Sequence, residues 1–328
     1  MKHLSSLVPE GDCSLTNIEG THQIFSQVNH FLAQSERPPL FTIQLVGLQK
    51  QGRVKKGFFS IIPEVLIDEV DHTDLVIIPA LQEPDMRSAL ELNKRFIPWI
   101  VKQHKQGASI ETLCIGSFLL ASTGQLSGRK CATHWVAAED FRNMFPDVEL
   151  VPDKIITDDQ GIYSSGGAYS SLNLILYLVE KFAGREMAIL CSKIFQIELE
   201  RNNQSGLMIF NPQKDHEDES IRKAQEFIEL NVNDKISVED LAIRFAIGRR
   251  NFERRFKKAT NNTPVEYIQR VKMEAAKKSL EMSRKNVNEV MYDVGYSDTK
   301  AFRTVFKRVT GLSPIDYRNR YKREVIIG

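Results

Sequence analysis

A chain of 328 residues with 42% hydrophobic and 26% charged side chains has room for two or three ordinary cores, and this composition excludes wholesale disorder. The net charge of +2 conceals an imbalance: from His216 onward 24 Lys and Arg face 17 Asp and Glu, so the basic excess lies where a polyanion would be met. Four cysteines, Cys13, Cys114, Cys131 and Cys191, show no CxxC or Cys/His ligand spacing, which argues against a disulfide framework and a metal centre. Residues 1–9 lack the apolar core of a signal peptide, and the longest apolar run, around 172–179, is too short for a bilayer. A cytoplasmic chain with no membrane partner, metal or cofactor is expected.

Residues 1–200 alternate short apolar runs with amphipathic segments, the pattern of a doubly wound, mainly parallel, flavodoxin-like α/β sheet. The runs predict strands at 3–8, 41–48, 74–79, 109–114 and 130–133. Helices are predicted at 18–33, 87–106, 115–123, 136–145 and 171–195. Residues 55–61 read as an added strand in a hairpin, and 155–157 with 161–164 as another.

Within this region Ile110-Glu111-Thr112-Leu113-Cys114-Ile115-Gly116-Ser117 runs from a buried strand into a helix with a cysteine at the junction. Such an elbow presents its side chain at the carboxyl edge of the sheet, beside helix N-terminal amides that favour an anion or thiolate. A free cysteine is equally a small buried hydrophobe, and His134 an ordinary core histidine. The elbow, Ala132-Thr133-His134-Trp135 and Tyr163-Ser164-Ser165-Gly166-Gly167 together resemble the ThiJ/PfpI (class I glutamine amidotransferase-like) superfamily. That resemblance implies a nucleophilic or redox-sensitive thiol at Cys114, with His134 beside it and Glu19 as the acid. Ile115 stands where the superfamily's proteases have histidine, so the protease dyad is absent.

Residues 201–219 lose apolar periodicity and gain Asn, Gln and charge, and read as a linker to a domain at 220–328. Ser237-Val238-Glu239-Asp240 opens a short helix, Ala246-Ile247-Gly248 turns, and Arg249-Arg250-Asn251-Phe252-Glu253-Arg254-Arg255-Phe256-Lys257-Lys258 follows as a basic helix. Thr263-Pro264-Val265-Glu266 then caps a long helix to about 283. The pattern recurs about fifty residues later: Asn286 to Glu289, the turn Gly295 to Asp298, Thr299-Lys300-Ala301-Phe302-Arg303-Thr304-Val305-Phe306-Lys307-Arg308, then Ser313-Pro314. Phenylalanines four apart put one helix face in a core and turn the cations outward, as in a helix-turn-helix whose second helix enters the major groove.

The tandem resembles the DNA-binding domain of the AraC/XylS transcription regulators, with Lys272 where that family usually has arginine and Asn261-Asn262 where Gly311 stands in the second copy. DNA contacts are expected from Arg249, Arg250, Asn251, Glu253, Arg254 and Lys257, and from Thr299, Lys300, Arg303, Thr304, Lys307 and Arg308. With the ThiJ/PfpI-like part the whole resembles a two-domain regulator that dimerises, binds duplex DNA, answers a small-molecule effector and meets RNA polymerase. The competing reading is a hydrolase or deglycase using Cys114 with an appended DNA-binding module. A third is a dimeric scaffold without ligand.

Overall fold

The computed structural model describes residues 1–50, 53–55, 59–199 and 204–322. Two compact units emerge, Met1–Gln204 and Ser205–Gly328. The first runs β1 (Lys2–Val8), α1 (Leu15–Gln34), β2 (Phe41–Gly47), β3 (Arg53–Lys55), β4 (Phe59–Ile61), β5 (Val65–Leu66), β6 (Leu75–Ile78), α2 (Met86–Leu92), α3 (Phe96–Lys105), β7 (Ser109–Leu113), α4 (Ser117–Ala121), β8 (Lys130–Cys131), α5 (Ala138–Met144), β9 (Glu149–Leu150), β10 (Ile156–Asp159), β11 (Ile162–Ser165), α6 (Ser171–Ala183) and α7 (Arg185–Phe195).

Seven strands form one sheet in the order β10-β11-β7-β6-β1-β2-β5, parallel except for β10. Both faces are covered, so its central strands are buried on each side, as in the Leu75–Ile78 run of β6. Leu4, Leu75, Ile77 and Leu113 pack toward α1, α6 and α7 with Phe25, Val28 and Leu174. Leu7, Val76, Ile78 and Ile110 pack on the other face with Phe96, Phe118 and Phe141. Strand order reverses between β1 and β6, which opens the usual ligand crevice at their carboxyl ends.

Several expected elements are corrected. The single helix expected at 87–106 is two, α2 and α3, because Pro98 cannot accept a helix before it and must sit in a first turn. Asn93 ends α2 with a buried side chain that exchanges hydrogen bonds with the Glu10 backbone at 2.8 and 2.9 Å. The helix expected at 171–195 breaks at Gly184, whose φ of 92° no side chain tolerates well. The strand expected at 130–133 is only Lys130–Cys131 and pairs with β9 outside the main sheet. The strand beside β7 in the main sheet is β11, which pairs parallel with β7 while β10 pairs antiparallel with β11. The hairpin expected near 55–61 is the β3-β4 ribbon, its turn lying outside the described residues.

The second unit contains α8 (Glu219–Leu230), α9 (Val238–Arg244), α10 (Arg249–Thr260), α11 (Pro264–Met282), α12 (Val287–Asp293), α13 (Thr299–Thr310) and α14 (Pro314–Tyr321). From Ser205 onward the stretch read as a linker joins this unit: the Lys277 ammonium donates to Met208 O at 2.6 Å, and Phe210 meets Tyr267 edge-on at 5.2 Å. Among the described residues no helix is long and apolar enough to cross a membrane, and no group of His, Cys, Asp and Glu could hold a metal.

Candidate DNA-binding surface and the Cys114 crevice

The sequence repeat is a repeat of bonds. Helices α8 to α11 enclose one core around Phe252, Phe256 and Tyr267, and α11 to α14 enclose another around Phe302, Phe306 and Tyr317. Capping boxes at Ser237/Asp240 and Asn286/Glu289 start α9 and α12, each satisfying amides a helix start would leave bare. Both helices end alike: Ile247 N donates to Ala242 O at 3.0 Å, and Tyr296 N to Met291 O at 3.0 Å. Ala246 at φ 51° does in the first turn what Gly295 at φ 71° does in the second. Past the basic helices, Asn261 (φ 54°) and Gly311 (φ 75°) take the left-handed cap, a conformation asparagine tolerates better than other side chains do. Tyr267 stacks edge-on with Phe256 and donates to Glu229, while Tyr317 does so with Phe306 and Glu281.

With the phenylalanines inside, α10 exposes Arg249, Arg250, Asn251, Arg254 and Lys257, and Glu253 is partly covered. These cations are partly engaged before any ligand arrives. Arg249 lies between Glu253 (3.2 Å) and Glu239 (3.5 Å), Arg254 donates to Asn251 at 2.8 Å, and Lys257 donates to Asn261 O at 2.8 Å. On α13 Thr299, Lys300, Arg303, Thr304, Lys307 and Arg308 are exposed. Arg308 reaches back to Gln269 of α11 instead of outward. An open hollow of ≈ 340 Å³ lined by Asp298, Lys300, Ala301, Thr304 and Val305 flanks this helix.

In the first unit Cys114 follows β7 in a left-handed conformation (φ 55°), a strained geometry that a strand-to-helix elbow requires. Gly116 makes the elbow possible, since a Cβ there would lie 2.6 Å from the Ile78 and Pro79 carbonyl oxygens. Cys114 N donates to Ser165 Oγ at 3.3 Å and Cys114 O accepts from Thr133 Oγ1 at 3.3 Å. The residue is 4% exposed, and burial pushes the pKa of its thiol up to about 12, so the thiolate is suppressed. His134 accepts from Val136 N at 3.2 Å through Nδ1, and burial lowers its pKa. Glu19 is exposed on α1 and accepts from Gln23 at 2.7 Å. Among the described residues no hydrogen bond joins Cys114, His134 and Glu19.

Residues 241–320 match the family model described as a helix-turn-helix domain, and residues 38–181 match the DJ-1/PfpI family. The chain thus joins an AraC-type helix-turn-helix domain to a DJ-1/PfpI domain. It is 25% identical over 262 residues to the HTH-type transcriptional regulator GbdR of Pseudomonas aeruginosa, covering 79% of this chain and 70% of that protein. To ArgR of the same species it is 24% identical over 216 residues, covering 66% and 65%. A crystal structure of a putative transcriptional regulator from Vibrio parahaemolyticus, 24% identical, superposes with a TM-score of 0.53 over 59% of this chain and 98% of that one. That likeness speaks to fold alone.

Three features of this regulator escaped the sequence. Arg255, adjacent to the basic face, turns inward and pairs bidentately with Asp218 at 2.6 and 2.8 Å, tying α10 to the cap of α8. The acid at the carboxyl end of β1 is Glu10, 7% exposed, which accepts from Gln49 at 2.7 Å. Gln204, 1% exposed, donates to Thr133, Pro152 and Lys154 carbonyls at 2.8 to 3.2 Å and fills the space a Cβ on Gly166 would need. All three depend on partners far away in sequence, so no local pattern announced them.

Proposed function

We propose that this regulator reads a two-part DNA sequence through α10 and α13, with its DJ-1/PfpI domain acting as a ligand-sensing and dimerising part instead of an enzyme. The duplicated outward basic face carries the reading: Arg250 and Arg254 on α10 and Lys300 and Arg303 on α13 are exposed on helices whose opposite faces are sealed. Arginine can pair bidentately with guanine, whereas Lys257 and Lys307, one turn further, suit phosphates. A solvated charged face would need neither the turn nor its repetition.

The effector site is proposed at the carboxyl edge of the sheet, with Cys114 and His134 in its wall and Glu19 outside it. Against turnover stands a thiol that burial holds protonated, with no imidazole bonded to it among the described residues. Cytoplasmic location, a homodimer with paired half-sites and contact with RNA polymerase belong to the same proposal. The test is selection of bound duplexes from random DNA by the full chain, with and without a metabolite mixture. Enrichment of a two-part sequence whose yield changes with metabolites is expected. Recovery of unenriched DNA at moderate salt would overturn the proposal.

A further inference from the structure

Two small cores joined by one helix do not by themselves fix the angle between their reading helices. In the second unit the cores around Phe252 and Phe302 are separate clusters, with Val232 packed against both. At that place Lys272 of α11, 5% exposed, projects its ammonium into the junction. It donates to Val232 O at 2.7 Å, to Asp234 O at 2.8 Å and to Val294 O at 2.8 Å, which uses all three of its protons. The first two carbonyls lie in the loop between α8 and α9, in the first subdomain, and the third ends α12 at the turn of the second.

The next residue makes the fit exacting. Gly295 lies against the same loop, and a Cβ there would stand 2.5 Å from Asn233 O and 2.7 Å from the Lys272 ammonium. The turn that aims α13 therefore touches the loop that follows α8, with a cation between them. A buried ammonium persists only where it is fully hydrogen-bonded, and removing it leaves three carbonyls to regain water by opening the contact.

We propose that Lys272 is a positioning residue that sets the angle between α10 and α13, and with it the spacing at which the two parts of the DNA site must lie. This rests on the two-part reading above. The buried lysine of an ordinary core would bond within one subdomain, whereas this one gathers carbonyls from both.

The experiment uses the full chain and three duplexes: the selected two-part sequence, the same with one part scrambled, and the same with one base pair inserted between the parts. Lys272→Met is expected to lose at least tenfold in affinity for the intact duplex, to stay within about threefold on the half-scrambled one, and to lose discrimination against the insertion. Lys272→Arg, which keeps the charge and the donors, should restore the discrimination. Gly295→Ala, which wedges the junction while keeping the ammonium, should show the same loss of spacing preference as Lys272→Met, and it decides the matter if Lys272→Met fails to fold. Folded variants that keep the native spacing preference, or that weaken on all three duplexes equally, would overturn the role of Lys272. A wild-type chain that binds the intact and half-scrambled duplexes alike would overturn the two-part reading itself.

Discussion

Glu111 lies in the middle of β7, paired with Ile77 of β6 and Tyr163 of β11. It is fully buried, and among the described residues neither carboxylate oxygen has a hydrogen-bond partner. Burial pushes its pKa from 4.5 up to about 8, because an unpaired carboxylate in an apolar interior is far costlier than the neutral acid. A raised folded pKa means that the native state holds a proton the unfolded chain has released. The associated stability is therefore complete below pH 4.5 and is lost as pH rises through 8. At about 1.36 kcal/mol per pH unit the loss totals about 5 kcal/mol, of which about 3 is gone by pH 7. Both tryptophans, Trp99 and Trp135, lie in the first unit, so their fluorescence in urea follows that unit within the full chain. The stability difference between Glu111→Gln and wild type should move in the variant's favour by about 3 kcal/mol between pH 5 and pH 8. Parallel pH curves for the two proteins would refute the reasoning.

Three other outcomes are expected. Arg250→Ala or Arg303→Ala should change which sequences are selected, whereas Lys307→Ala should weaken every site and lower the salt slope by about one; equal losses on specific and random DNA for all three would contradict the assigned roles. All four cysteines are buried, and Cys114, held near 12, should react with iodoacetamide at pH 8 only as the chain opens, while Cys114→Ser keeps its DNA affinity; fast labelling of the native protein would favour the enzyme reading. Asp218→Ala removes both the α8 cap and the Arg255 pair, a loss of about 2 kcal/mol, and should speed amide exchange in α8 and α10 by about thirtyfold.

What the sequence made legible was local. Phenylalanines at i and i+4, Ser or Thr three residues before an acid, and Asn261 in place of a glycine each state their geometry within a turn or two, and each was found so in the structure. Strand positions also read well, because an apolar run between turn residues has few other uses. Legibility failed where the decisive partner was distant. Asn93 ends its helix by bonding Glu10, Gln204 is buried by carbonyls some fifty to seventy residues earlier, and β11 joins the sheet through pairing with β7. Lys272 looked like a conservative change for arginine, and only the folded chain reveals the three carbonyls around it.

Helix α11 closes the first reading unit and opens the second, so Tyr267 seals one core from its start while Met273, Ala276 and Leu280 line the other further on. Each half of the domain is thus a four-helix body only while it owns this rod. A cut before residue 264 or after residue 283 can release one intact reader, but never two, and a break inside α11 disarms both together. The two readers share one helix, which makes the pair inseparable by packing.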